Sequence, residues 1–375
     1  MNNLKTTRLE SLDILRGFDL FLLVCFQPLF MRFAQGMGKE SFVHTIQQTL
    51  FTHVAWEGFH LWDQVMPLFL FMSGVSIPFA YSAYKKGNVS TTKMLRRIVK
   101  RVLLLWIFGA IVQGNLLDLR IESLYLYTDT LQAIAMGYLF ASLGYMFFSI
   151  RIQLVLFFML PLIYTLGMVL TEGYEPGINL AEVIDKLILG KYLYGATYGE
   201  GGEVIFASWY HISWIYSTLN FTATVVSGVL AGYCLKTTQA SSTKLRILLA
   251  AAGLCFILSA TLAFTIEPII KRLWTSSMLF LTSGISLGLM ALFFYVIDIK
   301  QIRTPFLWLK IYGMNSILAY MLYNTVDMRS FLSYYLHGVE PFVGTFYPFV
   351  LEIAKVSLFF LLLRWCYKHK IYLKV

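Results

Sequence analysis

Apolar runs of roughly 20 residues recur from one end of this chain to the other, the length a bilayer core demands of a helix. Nothing else in the sequence restricts the fold as much. Of the 375 residues, 58% are hydrophobic and the mean hydropathy is +0.67. Lipid offers no partner to a free backbone group, so segments that cross it are helices. The expectation is an all-α, polytopic integral membrane bundle of about ten helices, near 18–34, 61–84, 102–117, 128–149, 152–171, 213–235, 246–265, 276–297, 312–325 and 346–366. No soluble module stands out, because the longest polar breaks are only 35–60, 85–101, 172–212 and 326–345. Residues 1–375 read as a single membrane domain.

Lys and Arg favour the cytoplasmic side of a membrane. With the N-terminus inside, the inner segments hold 21 of the 30 cations, from Lys5, Arg8 and Arg16 through the cluster Lys85–Arg101 to Lys374. The outer segments hold 8: Arg32, Lys39, Arg120, Lys186, Lys191, Lys271, Arg272 and Arg329. Both termini are therefore expected in the cytoplasm. The formal net charge of +10 comes from cations at helix ends beside anionic lipid, so a nucleic-acid partner is not expected. Cys25, Cys234, Cys255 and Cys366 show neither paired nor metal-type spacing and read as free structural thiols. The polar start Met1–Glu10 does not resemble a signal peptide. The break 172–212 carries seven glycines and many aromatics, which suits a loop folded over a pocket mouth and equally a flexible interfacial connector.

Ionisable groups inside apolar runs are costly and draw attention to themselves. His53 stands just ahead of the second run and Asp63 about one turn into it. An imidazole there acts as a general base or nucleophile, or as an interfacial group bonded to a loop carbonyl. Asp63 orients His53 or holds a substrate hydroxyl. Ten residues of separation do not put the two on one helical face, so contact requires Gly58 to break the helix. Asp13 and Arg16 are neighbours on a helix surface, which suits an ion pair or a phosphate contact for a cytosolic cofactor, the latter reinforced by Arg97 and Arg101. The amides Gln27, Gln132, Asn220 and Asn315 tie helices together or contact a substrate. Lys271 and Arg272, like Glu352 and Lys355, read as structural or interfacial. There is no Gly-rich phosphate loop, zinc-type ligand spacing or Gly-x-Ser-x-Gly elbow, and no metal is expected.

The opening Arg8-Leu-Glu-Ser-Leu-Asp13-Ile-Leu-Arg16-Gly17 resembles that of the transmembrane acyltransferases related to heparan-α-glucosaminide N-acetyltransferase. The stretch from His53 to Ser76 is similar to the family's without a gap, agreeing at His53, Trp56, Gly58, Asp63, Val65, Pro67, Phe69, Phe71, Gly74 and Ser76. Asn179–Leu193, Leu273-Trp-Thr-Ser-Ser, Gly313-Met-Asn-Ser-Ile-Leu-Ala-Tyr and the tail Tyr367–Lys374 resemble family segments too, so the likeness covers nearly the whole chain.

What the resemblance implies is transfer of acetyl from cytosolic acetyl-CoA, across the membrane, to the amine of a glucosamine unit on the far side. His53 takes the place of the catalytic histidine and Asp63 that of the active-site carboxylate. The expected substrate contacts are Trp56, Gln27, Gln132, Asn220 and Asn315; Arg16, Arg97 and Arg101 are expected to meet the CoA phosphates. Acetyl-histidine and direct-transfer routes both stay open. The sequence departs from the family where Gln27 replaces an Asn, where the insertion Pro28–Thr52 separates it from His53, and where Glu203–Asn220 lacks an Asp-Pro-Glu-Gly. Two rival readings remain, O-acetylation of a surface glycan and sugar transport without chemistry. The expected home is the cytoplasmic membrane of a bacterium, as a monomer or a homodimer.

Overall fold

The structure is a computed structural model that describes residues 9–85, 87, 89–113, 116, 124–171 and 173–373. Lys5, Arg8, Lys86, Arg120 and Lys374, five of the cations used to orient the chain, lie outside the described residues. Helix dominates. Helix α1 runs over Glu10–Met37 and loosens into a π-helical turn at Leu22–Phe26. There follow α2 (Phe42–Leu50), α3 (Leu61–Ala80, opening on a 3₁₀ turn), α4 (Thr91–Val112), α5 (Thr130–Phe147), α6 (Ile150–Val169) and α7 (Leu180–Leu189). A two-stranded antiparallel hairpin, β1 (Thr197–Tyr198) with β2 (Val204–Ile205), precedes α8 (Thr218–Lys236), α9 (Ser241–Thr265) and α10 (Ser276–Ile299). The chain ends in α11 (Leu307–Met314), α12 (Ser316–Thr325), α13 (Met328–Leu336) and α14 (Tyr347–Lys368).

Side-chain caps start many of these helices. Ser41, Ser90, Asp129, Ser149, Asn179 and Asp327 each accept a backbone N–H from the first turn that follows.

Eight helical segments among the described residues are long and apolar enough to cross a membrane. They fall on eight of the ten runs expected from sequence. Of the other two, 102–117 is helical as far as Val112, with 114, 115 and 117 outside the described residues, and 312–325 is helical with an interruption, so neither is an uninterrupted apolar helix of bilayer length. The first belongs to α4, whose early turns carry Lys93, Arg96, Arg97, Lys100 and Arg101. The second is broken at Asn315 (φ −125°, ψ 36°) into α11 and α12.

Burial follows single stripes. Helix α9 buries Leu248, Ala252, Cys255 and Ser259, spaced as one helical face, while Leu249, Leu254, Ile257 and Phe264 are exposed. Apolar surface on this scale has no counterpart on a water-soluble monomer and fits an integral membrane protein whose outer surface meets lipid. Inside, α3 crosses α8 with their backbones nearly touching: a Cβ on Gly74 would strike the Val225 carbonyl, and one on Gly228 the Phe71 carbonyl. Small residues at such crossings let membrane helices approach closely. Cys25, Cys234, Cys255 and Cys366 are all free, and three of them are buried.

Candidate active site

The segment between α2 and α3 does not continue either helix. Gly58 adopts φ 116°, open to glycine and strained for other residues, and its N–H donates to the Ile269 carbonyl at 2.8 Å. An isolated bridge pairs Glu57 with Ile270. The chain thus turns away from helical geometry and lies against the 266–275 connection. Having no shared helix, His53 and Asp63 meet through space, as the sequence reading required of Gly58.

Asp63 is fully buried and His53 is exposed over half its side chain. His53 Nδ1 lies 2.7 Å from Asp63 Oδ1. A carboxylate only accepts, so at this separation Nδ1 carries the proton and donates it; in the neutral imidazole the lone pair is then on Nε2. Asp63 Oδ1 also accepts from Lys271 Nζ at 3.1 Å, and Oδ2 accepts from the His60 N–H at 3.0 Å. With the Val54 N–H, 3.5 Å from Oδ2, four donors compensate the burial of one carboxylate. Lys271 Nζ sits 2.9 Å from His53 Nδ1, closing a triangle of three ionisable groups. Burial lowers the affinity of the Lys271 amine for its proton, and the neighbouring Asp63 charge opposes that shift.

Lys271, read from the sequence as structural or interfacial, is found against Asp63 and His53. It lies 218 residues from His53 along the chain, and no local spacing marks it. Its connection is built as a rigid platform. The Leu273 carbonyl accepts from Tyr164 Oη and Ser217 Oγ, both at 2.7 Å, and the Trp274 carbonyl accepts from Asn220 Nδ2 at 2.7 Å. Trp274 holds φ 53° while buried, an uncommon conformation for a large side chain that these bonds sustain. Glu267, pushed by burial above the usual carboxylate range, accepts from Thr165, Tyr174 and the Ser277 N–H.

The other expected substrate contacts separate. Gln27 does reach the site. The insertion Pro28–Thr52 completes α1, forms α2 and returns, so that Gln27 Nε2 donates to the Phe51 carbonyl at 3.2 Å, two residues before His53. Trp56 stands edge-on to His211, with ring centroids 6.0 Å apart. His211 Nδ1 is 3.2 Å from Glu182 Oε2, which also accepts the Gly177 N–H. Asp185 accepts the N–H groups of Trp214 (2.6 Å) and Ile215 (2.9 Å), and burial still pushes its carboxyl up to about 7. The 172–212 segment is thus shaped by buried acids and packs onto the His53 segment. Asn220 acts on the site through the Lys271 platform. Gln132 belongs to the start of α5, its Oε1 accepting from the Thr128 and Asp129 N–H groups and its Nε2 donating to the Leu126 carbonyl. Asn315 grips the chain end, donating to the Ile371 carbonyl at 2.9 Å and accepting from the Leu373 N–H at 3.2 Å.

Of the three expected phosphate contacts, Arg16 and Arg101 line one cavity of about 310 Å³ between α1, α3, α4, α5 and α12, and Leu373 closes part of it. Arg16 donates to the Met72 carbonyl at 3.3 Å. Arg101 lies 4.1 Å over the Tyr138 ring, and its buried Nε has no hydrogen-bond acceptor among the described residues. Arg97 is exposed on α4 and is not part of that lining. The cavity also reaches Phe69, six residues along α3 from Asp63, a rise of about 9 Å. Among the described residues no group of His, Cys, Asp and Glu is arranged to hold a metal ion.

No protein-family model matches this chain, and no curated protein matches it.

Proposed function

We propose that this protein is an acetyl-CoA-dependent transmembrane N-acetyltransferase acting on a glucosamine-type amine, with both termini cytoplasmic and His53 on the outer side of a bacterial inner membrane. The observation that carries the reading is the His53–Asp63–Lys271 triangle, which fixes the imidazole tautomer and turns Nε2 outward. A base near ambient pH is what an ammonium nucleophile needs before it attacks a thioester. Nε2 takes a proton from the sugar ammonium, and the amine attacks the thioester carbonyl. The new C–N bond forms as C–S breaks, and the departing CoA sulfur takes the proton from the imidazolium; the second proton of the original ammonium goes to solvent. Asp63 stabilises the imidazolium formed in between.

The donor route supports the same reading. The Arg16–Arg101 cavity offers guanidinium groups to phosphates at one end and approaches the Asp63 turn of α3 at the other. CoA phosphates entering from the cation-rich side would leave the acyl end pointing toward His53. The Lys271 ammonium, 3.1 Å from Asp63 Oδ1, supplies a counter-charge to the carboxylate that holds the base. The test is acetyl transfer by detergent-purified wild type and His53→Ala on glucosamine, galactosamine and muramic-type sugars. Base-stable acetylated amino sugar from wild type, with at least a hundredfold loss in the folded variant, is expected. Base-labile products would mean O-acetylation, and no product with any sugar would overturn the reading.

A further inference from the structure

A second polar cavity, of about 480 Å³, opens between the later turns of α1, the 323–329 segment and α14. Its lining includes Arg32, Arg329, Lys355, Glu352, Gln27 and Gln35, an unusual set for helices otherwise packed in lipid. Glu352 is buried and is satisfied by Lys355 at 3.0 Å. Arg329 approaches the other Glu352 oxygen only to 3.8 Å, and its Nη2 has no hydrogen-bond acceptor among the described residues. Arg32 spends Nη1 on the neutral Gln35 amide at 2.8 Å. Asp327, the other acid of the lining, is exposed and caps α13 through the Ser330 N–H and Oγ. Three cations thus face two anions around one cavity, leaving one positive charge in excess.

We infer that this cavity binds an oxyanion, a phosphate borne by a larger ligand. Cations in membrane-embedded segments are costly unless a counter-charge meets them. A cluster serving structure alone would pack its charges together, whereas here two guanidinium groups border an open volume. Planar forks of this kind take carboxylate and phosphate oxygens in pairs. The site is also coupled to the catalytic loop, since Gln27 borders the cavity and donates to the Phe51 carbonyl. An occupant would therefore stand beside the segment that carries His53. The inference concerns binding and does not rest on acetyl transfer.

The phosphate arises from two sources, a soluble sugar or a lipid headgroup, which two arms separate. In the first, calorimetry compares glucosamine 6-phosphate with glucosamine on the purified protein. In the second, native mass spectrometry measures phosphatidylglycerol retained from phosphatidylglycerol nanodiscs, against phosphatidylcholine controls. The expected result is at least tenfold preference for the phosphate-bearing probe in one arm, lost in Arg32→Gln and Arg329→Gln variants of unchanged melting temperature. Glu352→Gln, which raises the cavity charge by one, is expected to bind at least as tightly as wild type. No preference in either arm, or a preference that survives both arginine variants, would overturn the inference.

Discussion

Asp63 takes four donors on its two oxygens, of which His53 is one, so replacement by an amide of the same size tests the orientation of that ring. Asp63→Asn keeps the size and the His60 cap but no longer dictates which imidazole nitrogen holds the proton. Its acetyl transfer is expected to fall by about two to four orders of magnitude with the melting temperature little changed. Lys271→Met should cost less, about tenfold, because Asp63 keeps its contacts with His53 and the His60 N–H. A loss as large as that of Asp63→Asn would show that the cation matters to the reaction as much as the carboxylate, and no loss would make Lys271 a structural partner of Asp63 only. His53 and Asp63 stood out in the sequence because a histidine and an acid entering an apolar run demand explanation. Lys271 did not, since a lysine in a loop needs none until its neighbours are known.

Among the elements, the α3–α8 crossing shows how backbone proximity fixes the distance between helices. Gly74→Leu must displace the Val225 carbonyl, backbone that cannot swing aside, and should cost about 1–3 kcal/mol or more. Gly253 of α9 has open space at its Cβ, so Gly253→Ala should stabilise by about 0.5–1 kcal/mol through helix propensity. Melting temperatures of the two variants in one detergent check the contrast; equal effects would mean that the crossing is not tightly packed. Helix existence could be read from hydropathy, whereas helix integrity could not. Helix α4 starts at Thr91, within the polar break ahead of the run expected from 102, and the run 312–325 is broken at Asn315. The Asn315 break has a use visible only in the assembled structure, where the freed amide bonds Ile371 and Leu373, the latter lining the Arg16–Arg101 cavity.

For the molecule entire, the proposed chemistry requires two faces with different access. Single cysteines at Lys39 and Lys93, in a background lacking the native thiols, should react with a membrane-impermeant maleimide from opposite sides of sealed vesicles. Labelling of both from one side would refute the orientation and with it the donor route from the cytoplasm. The polar cavities belong to this scale as well, because each is lined by helices distant in sequence. Arg16 and Arg101 share one, and Gln27, Arg329 and Lys355 share the other. Charge counts along the chain indicate which side is positive, but not which cations converge.

Apolar length and cation asymmetry were enough to establish a helical membrane protein, since lipid leaves the backbone no other partner. They also marked His53 and Asp63 as groups too costly to be idle. What folding alone decided is who meets whom. The return of the Pro28–Thr52 insertion to Gln27, the arrival of Lys271 at Asp63 and the gathering of arginines around cavities all depend on helix crossings. Periodicity records which face of a helix is apolar; it does not record which helix that face will meet.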